Sequence, residues 1–160
     1  MRSPAAEWYH DAVDWAVTSG AILGYGDGTF GPGNTLTRAE MATILCRLAG
    51  EPEADLEGLP SDVPAGEWYA NGVAWALAEG VFSGNGDGSF SPSGAITREQ
   101  AACVLYNRAA AAGEDVSARA DLSSFSDVGD LSAWARDAMS WAVAEGVFGG
   151  GATGLEPGAP

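Results

Sequence analysis

Residues Gly24–Glu40 read "GYGDGTFGPGNTLTRAE", and a near copy, "GNGDGSFSPSGAITREQ", occupies Gly84–Gln100. A third version begins as "GGATGLEP" at Gly150–Pro157 and stops before any Thr-Arg pair. A stretch that recurs along a chain is typical of repeat architectures, in which each copy forms one structural unit. The sequence therefore predicts three related units, and the third lacks the last part of the pattern.

Tryptophans extend this pattern upstream of the Gly-rich stretch. In each unit a tryptophan is followed seven residues later by a second one and five residues after that by a glycine: Trp8, Trp15 and Gly20; Trp68, Trp75 and Gly80; Trp134, Trp141 and Gly146. At helical spacing the two tryptophans share one stripe, and the glycine takes the place where helices commonly end. We expect a helix here in every unit, with its second tryptophan buried against a neighbouring unit.

A second helix is predicted after the Gly-rich loop. Thr37-Arg38-Ala39-Glu40 and Thr97-Arg98-Glu99-Gln100 both fit the capping box S/T-x-x-E/Q, which marks a helix start. Each unit is then a helix, a Gly loop and a helix, so the predicted fold is all-α. The predicted boundaries are repeat one at 1–50, a linker at 51–60, repeat two at 61–110, a linker at 111–124 and repeat three at 125–160.

The composition is that of an acidic globular protein. The 160 residues are 46% hydrophobic and 18% charged, and 7 basic against 22 acidic residues give a net charge of −15. Such a surface repels nucleic acid and anionic membranes. No apolar run approaches the roughly 18 residues of a membrane span. We therefore expect no nucleic-acid partner and no membrane insertion. No apolar leader follows Met1, so a role outside the cell would make this chain a mature fragment.

Residues suited to metal binding or nucleophilic catalysis are few. Cys46 and Cys103 stand in no C-x-x-C or metal-ligand spacing, and His10 is the single histidine. We expect no metal and no cofactor. The two cysteines occupy different positions in their repeats, and Cys46 falls off the apolar face of its predicted helix. Free, half-buried thiols are the prediction.

The order of these motifs resembles the S-layer homology domain, a tandem module of bacterial surface proteins. The matching motifs are Phe125-Ser126-Asp127-Val128, Trp68-Tyr69, Ala12-Val13-Asp14-Trp15-Ala16, the Gly-Asp-Gly loops and Thr37-Arg38-Ala39-Glu40. The resemblance implies a pseudo-threefold assembly in which one helix of each repeat joins a central bundle. It also implies that grooves between repeats bind secondary cell-wall polysaccharide, often pyruvylated, and so anchor a host protein non-covalently to a Gram-positive wall.

The chain departs from the family pattern at both ends. Repeat one has no Phe-x-Asp-Val motif before Trp8. Repeat three has Ala152 in place of the loop aspartate and no Thr-Arg helix. The sequence therefore predicts two competent grooves.

Arg38 and Arg98 are the first candidate ligand-binding residues. A surface arginine at a helix start sits unfavourably close to the positive end of the helix dipole. Beside free backbone N–H groups, however, it makes a site for a carboxylate. The resemblance gives these arginines such a role.

Asp27 and Asp87 lie in the Gly-Asp-Gly turns that begin at Gly24 and Gly84. One carboxylate per turn is too few for an EF-hand calcium loop, so each is interpreted as an Asx turn. In the family this loop borders the groove, which makes these four residues candidate rim contacts.

The remaining candidates are Trp68, Trp134, Asp62 and Asp127. The tryptophans lie at helix starts, where an indole either packs in the core or stacks on a sugar ring. The aspartates are interpreted as caps of the first helix of their repeats, with hydrogen bonds to sugar hydroxyls as the alternative.

Chain order predicts a first groove of Arg38, Asp62 and Trp68. It predicts a second groove made by Arg98 together with Asp127 and Trp134.

Two other functional classes stay open. One is a self-assembling structural module joined through its incomplete terminal repeats. The other, with no recurring acid–base pair to support it, is a carboxylate glycosidase.

Overall fold

The computed structural model describes residues 7–149 and 154–160. It contains the helices α1 (His10–Thr18), α2 (Arg38–Leu48), α3 (Ala70–Ala78), α4 (Arg98–Ala111) and α5 (Arg136–Ala144), with short 3-10 turns at Val128–Asp130 and Ala133–Ala135. Within these residues no sheet forms, and an isolated antiparallel bridge joins Thr37 to Ala95. The all-α prediction is confirmed. Ala152 lies outside the described residues.

Both predicted capping boxes are present. Thr37 Oγ1 accepts from the Glu40 N–H at 3.2 Å, and the Glu40 carboxylate accepts from the Thr37 N–H at 2.8 Å. Thr97 and Gln100 make the same reciprocal pair at 3.3 and 3.2 Å. Two N–H groups at each helix start, which the helix itself leaves without partners, are thereby satisfied.

The predicted helix ends are also confirmed. Gly20, Gly80 and Gly146 follow α1, α3 and α5 with φ of 74°, 69° and 72°. This left-handed conformation strains residues with a Cβ but not glycine, so each glycine ends its helix.

The second helix of one repeat packs on the first helix of the next. Thus α2 lies against α3, and α4 lies against α5. The first contact is very close, because a Cβ added to Gly72 in α3 would stand 2.8 Å from Thr43 Cα in α2. Two apolar cores follow this pairing, one around Val73 and Phe90 and the other around Met139 and Leu155. The pseudo-threefold arrangement of the repeats stays a prediction.

The expected burial of the second tryptophan holds for two repeats out of three. Trp75 and Trp141 are 7% and 6% exposed, but Trp15 is 60% exposed. Trp75 is covered because it belongs to the core that α3 forms with α2 of the preceding repeat, which also buries Leu45 and Cys46. No described residue precedes repeat one to cover Trp15 in this way. The prediction for Trp15 was therefore wrong.

The prediction that Cys46 lies off the apolar face was also wrong. Cys46 is 1% exposed and belongs to the core between α2 and α3, where its sulfur lies 3.7 Å from Asn71 Nδ2. The buried surface of α2 is wider than one helical stripe, because the helix packs on the next repeat as well as on its own loop. Both cysteines are free, and Cys103 is half-buried.

The segments predicted as linkers are fixed to the helices beside them. Asn71 of α3 accepts from the Ala54 N–H at 2.9 Å and donates to Pro52 O at 3.1 Å. Ser140 of α5 bonds both the N–H and the carbonyl of Ala120.

No helix in the described part of the chain is long and apolar enough to cross a membrane.

Candidate ligand-binding site

The loop of repeat two (loop two, residues 81–95) is held from both sides at Phe90. The Asp62 carboxylate accepts from the N–H groups of Phe90 and Ser91, each at 2.8 Å. From the other side, Arg38 Nε donates to Phe90 O at 2.8 Å and its Nη2 donates to Ser83 O at 3.0 Å. The structure thus brings Arg38 and Asp62 together on one residue of the next repeat.

Repeat three contains the same arrangement in the equivalent segment (loop three, the described residues 147–149 and 154–159). Asp127 accepts from the N–H groups of Leu155 and Glu156 at 2.8 and 2.7 Å. Arg98 Nε donates to Leu155 O at 2.8 Å and its Nη2 to Gly149 O at 3.3 Å. We call each set, Arg38–Asp62 around Phe90 and Arg98–Asp127 around Leu155, an arginine–aspartate clamp.

Aromatic rings complete each clamp. The Arg38 guanidinium lies 4.7 Å from the Phe90 ring centre and 5.2 Å from that of Phe82, and Arg98 lies 4.8 Å from the ring of Phe148. A guanidinium over an aromatic face is attracted by the ring quadrupole. Since Phe90 and Leu155 are fully buried, each arginine lies over the core of the following repeat.

The helix starts beside these arginines are not free to bind an anion. The Arg38 and Ala39 N–H groups donate to Gly94 O and Pro92 O at 2.9 and 3.0 Å. In α4 the first two N–H groups donate to Ala159 O and Pro157 O at 2.8 and 3.0 Å. The third N–H of each helix is bonded to the capping threonine. The expectation that these N–H groups help to bind a ligand was wrong, because the next loop already occupies them.

The clamp aspartates are held in the charged form. Burial raises the pKa of Asp62, but the hydrogen bonds from the Phe90 and Ser91 N–H groups outweigh it, so that the pKa falls below its ordinary value. The Leu155 and Glu156 N–H groups lower the pKa of Asp127 in the same way.

The interpretation of these aspartates as helix caps was wrong. Helix α3 begins after Tyr69 and α5 after Ala135, and neither start has a side-chain cap. Asp62 and Asp127 instead bond loop backbone 28 and 29 residues further along the chain.

The Asx turns are confirmed. Asp27 accepts from the backbone N–H of Thr29 at 2.9 Å and from its hydroxyl at 2.7 Å, and Asp87 does the same with Ser89 at 2.9 and 2.6 Å. The hydroxyl bond first and then the backbone bond lower the pKa of both carboxyls. Gly24 and Gly84 lie where these turns begin. Among the described residues no group of acidic, histidine or cysteine side chains is arranged to hold a metal ion.

Trp68 and Trp134 are each 61% exposed. The Trp68 ring meets Tyr69 edge to face, with ring centres 5.2 Å apart. The Trp134 backbone carbonyl lies 3.9 Å from the sulfur of Cys103 in α4. Both indoles thus have much of their surface in solvent.

Trp68 also lines a pocket of about 610 Å³ with Gly24. The other walls come from the loop of repeat one (loop one, residues 21–35) and from α2. Arg38 and Asp62 do not line this pocket. Of the three residues predicted for the first groove, the structure brings Arg38 and Asp62 together on loop two and places Trp68 beside loop one.

Three segments, residues 3–42, 61–102 and 124–160, match the model of the S-layer homology domain, and together they cover most of the chain. The chain belongs to the S-layer homology family. In the first two matched segments the match ends a few residues beyond the Thr-Arg pair, and the third ends at Pro160, directly after loop three.

Relatives of this S-layer homology chain are much longer proteins and include surface-layer proteins and an enzyme. It is 37% identical over 154 residues to the surface-layer 125 kDa protein of Lysinibacillus sphaericus, covering 94% of this chain and 13% of that protein. It is 38% identical over 103 residues to the S-layer protein sap of Bacillus anthracis, covering 64% of this chain and 12% of that protein. The amylopullulanase of Thermoanaerobacterium thermosulfurigenes is 28% identical over 143 residues, covering 89% of this chain and 8% of the enzyme. The chain thus spans about a tenth of the relatives that it matches.

Sequence reasoning missed two polar residues of the pocket beside the first S-layer homology segment. Tyr25 and Arg47 line it, and Arg47 Nη1 lies 3.5 Å from Ala21 O. Arg47 follows Glu40 and Ile44 along the face of α2 that points to loop one. That spacing of i, i+4 and i+7 was the available signal.

Proposed function

We propose that this chain is a non-enzymatic module that anchors its host protein to the bacterial cell wall by binding an anionic, pyruvylated secondary cell-wall polysaccharide. The observation that carries the proposal is the match of three segments to the S-layer homology domain. The relatives include surface-layer proteins and an amylopullulanase, each sharing this region as a small part of its length. A region shared by surface-layer proteins and an amylopullulanase is better explained by a common place of action than by a common catalytic activity. The proposed place of action is the extracellular wall.

The exposed tryptophans are the proposed sugar contacts. Trp68 and Trp134 are both largely exposed, the Trp68 ring packs edge to face on Tyr69, and the backbone of Trp134 lies against Cys103 of the preceding repeat. The C–H face of a pyranose ring is apolar, so it packs on an indole while the sugar hydroxyls stay in water. Beside Trp68 the pocket adds the backbone of Gly24 and the polar groups of Tyr25 and Arg47.

The clamp arginines are the proposed contacts for the acidic substituent. A guanidinium has five N–H donors, and within the described residues Arg38 uses one on Nε and one on Nη2. The donors that remain suit a carboxylate, which accepts two parallel hydrogen bonds from one guanidinium. Arg98 has the same two bonds and the same spare donors.

The other predicted site residues take supporting roles in this proposal. Asp62 and Asp127 hold the loops on which the arginines lie. Asp27 and Asp87 shape the Gly turns at the rim, together with Gly24 and Gly84.

Tryptophan variants test the proposal with a control inside the chain. Trp8 is the equivalent tryptophan of repeat one, pairs edge to face with Tyr9 at 5.5 Å and is 91% exposed. It has no described loop of a preceding repeat beside it. We expect Trp68→Ala and Trp134→Ala each to weaken binding of purified wall polysaccharide about thirtyfold, the loss that corresponds to a hot spot of about 2 kcal/mol. Trp8→Ala should bind like the parent chain.

The measurement is calorimetric titration of pyruvylated polymer, with the depyruvylated polymer as a second ligand. Removal of the pyruvyl group should reduce binding to the parent chain and to Trp8→Ala equally. Equal affinities of all three tryptophan variants, or release of new reducing ends from the polymer, would contradict the proposal.

A further inference from the structure

We propose that Asn85 of loop two is a site of spontaneous deamidation, at which the side-chain amide leaves as ammonia and an aspartate or isoaspartate takes its place. The reactants are the Asn85 side chain, the backbone nitrogen of Gly86 and water, so the modification needs no enzyme. The proposal does not depend on polysaccharide binding. It rests on a comparison of the two Asn-Gly pairs of the chain, Asn85-Gly86 in loop two and Asn71-Gly72 in α3.

The reaction is a ring closure followed by hydrolysis. The Gly86 nitrogen bonds to Cγ of Asn85 and gives up its proton, while the Cγ–Nδ2 bond breaks and ammonia leaves with that proton. Water then opens the cyclic imide at either of its carbonyls, which yields aspartate or isoaspartate. A side chain on the residue after the asparagine would crowd the ring, so glycine is the most favourable residue there.

Loop two leaves room for this ring closure. Asn85 and Gly86 are both exposed, and the Gly86 N–H, the attacking group, makes no hydrogen bond to any described residue. A Cβ added to Gly86 would meet nothing within 4 Å. Gly86 also has a φ of 86°, which strains residues with a Cβ, so the backbone of loop two itself favours glycine after Asn85.

The second Asn-Gly pair is held against the same reaction. Asn71 lies in the first turn of α3, where its amide donates to Pro52 O at 3.1 Å and accepts from the Ala54 N–H at 2.9 Å. Gly72 is buried, and a Cβ there would stand 2.8 Å from Thr43 Cα. Ring closure would require the start of α3 to open, which costs the free energy of local unfolding. The same dipeptide is therefore a control inside the chain.

Deamidation would remove a hydrogen bond that stabilises loop two. The Asn85 amide donates to Ser89 Oγ at 2.9 Å and to Ser91 Oγ at 2.8 Å. A carboxylate has no hydrogen to donate, and the Ser89 hydroxyl already donates to Asp87 at 2.6 Å. Of the two serines, Ser91 alone can turn its hydroxyl toward the new carboxylate. The added charge also lies near Asp62 and Asp87, which already repel each other.

Incubation of the parent chain at mildly alkaline pH, followed by mass spectrometry, tests the modification. Cleavage after glutamate separates the two sites, because Asn71 falls in residues 68–79 and Asn85 in residues 80–99. We expect the peptide with Asn85 to gain one mass unit about tenfold faster than the other, or more, and to take up oxygen from isotopically labelled water. Equal rates at the two asparagines would overturn the proposal. So would an unchanged Asn85 under conditions that convert a free peptide of residues 80–99.

Asn85→Asp tests the effect of deamidation on loop two. Ser93→Asp is the matched control, because it adds the same charge at another exposed residue of this loop. We expect Asn85→Asp to speed hydrogen exchange of the Phe90 and Ser91 N–H groups severalfold, and Ser93→Asp to leave it close to that of the parent chain. Equal exchange in the two variants would overturn the loosening of loop two. Neither measurement involves polysaccharide, so its outcome is independent of the proposed function.

Discussion

At the scale of single residues, the two clamp aspartates show how a short polar side chain can organise a distant loop. Asp62 has both carboxylate oxygens bonded to backbone N–H groups of loop two. An amide in its place offers one acceptor and turns N–H donors toward the other N–H group. The charge and the two-oxygen geometry are therefore both required.

We predict that Asp62→Asn lowers Tm at pH 7 by about 2–4 °C, because one charge-assisted hydrogen bond is lost. The pKa of Asp62 is lowered in the folded chain, so its stabilising effect is present above the unfolded pKa of about 3.9 and disappears as pH falls through the folded value. The Tm difference between parent and variant should therefore shrink below about pH 4. Asp130→Asn, at an exposed position, is the control. A difference that is constant between pH 3 and pH 7 would contradict the assignment.

Cysteine reactivity is a second residue-scale prediction. Burial, aided by the Glu99 charge, raises the pKa of Cys103 to about 11. Since the thiolate is the reactive form, a Cys46→Ser variant should react with a thiol reagent about a hundredfold faster at pH 10 than at pH 8. In denaturant the thiol titrates near pH 8.5 and should react fast already at pH 8. Fast labelling of the folded variant at pH 8 would show that Cys103 is exposed.

At the scale of elements, what could be predicted from sequence was what is local. The capping boxes at Thr37 and Thr97, the terminal Gly20 and the Asx turn at Asp27 join groups two to five residues apart, so a short motif specifies each one. The Arg38 contacts join residues 45 and 52 positions apart. No local pattern reports such a partner, and the same holds for burial of Cys46, which depends on α3. The sequence therefore singled out the four clamp residues but not the loop groups that they bind, and it missed Tyr25 and Arg47 of the pocket.

The contact between α2 and α3 gives an element-scale prediction that reverses a helix rule. Alanine normally stabilises a helix interior relative to glycine by about 0.5–1 kcal/mol. At Gly72 its Cβ would stand 2.8 Å from the Thr43 Cα, so we expect Gly72→Ala to lower the free energy of unfolding by about 1–3 kcal/mol.

Urea denaturation would measure the effect of Gly72→Ala. Gly66→Ala is the matched control, because a Cβ there meets nothing within 4 Å; it should change stability little. A gain in stability from Gly72→Ala would show that α2 and α3 are further apart.

At the scale of the whole molecule, the repeats are joined head to tail by backbone and side-chain contacts as well as by the chain. The helix start of repeat one bonds loop two, and Ile96 N–H donates to Leu36 O at 2.8 Å. Loops two and three are each completed by a helix start that belongs to the preceding repeat. A repeat is therefore a poor unit of stability by itself, as expected for modules that share their cores.

Cleavage between repeats tests this interdependence. We expect a chain cut by a specific protease at a site inserted between Glu57 and Gly58 to keep its two pieces together on size-exclusion chromatography. Arg38→Gln should weaken their association, since Arg38 bonds across the cut. Arg47→Gln is the control, because Arg47 bonds Ala21 within the same piece. Pieces that separate at micromolar concentration in the parent chain would contradict the prediction.

The clamps also set the response of the chain to tension. The Arg38–Phe90 bond closes a segment of 52 residues and the Arg98–Leu155 bond one of 57. A fully extended residue spans about 3.3–3.6 Å, so unfolding of the segment that the first clamp closes would release up to about 180 Å of chain, and that of the second up to about 200 Å. In a module proposed to anchor a protein to a wall, each clamp must therefore open before the anchoring chain can lengthen under force. Force spectroscopy of the parent chain should show the opening of each clamp as a separate increase in chain length.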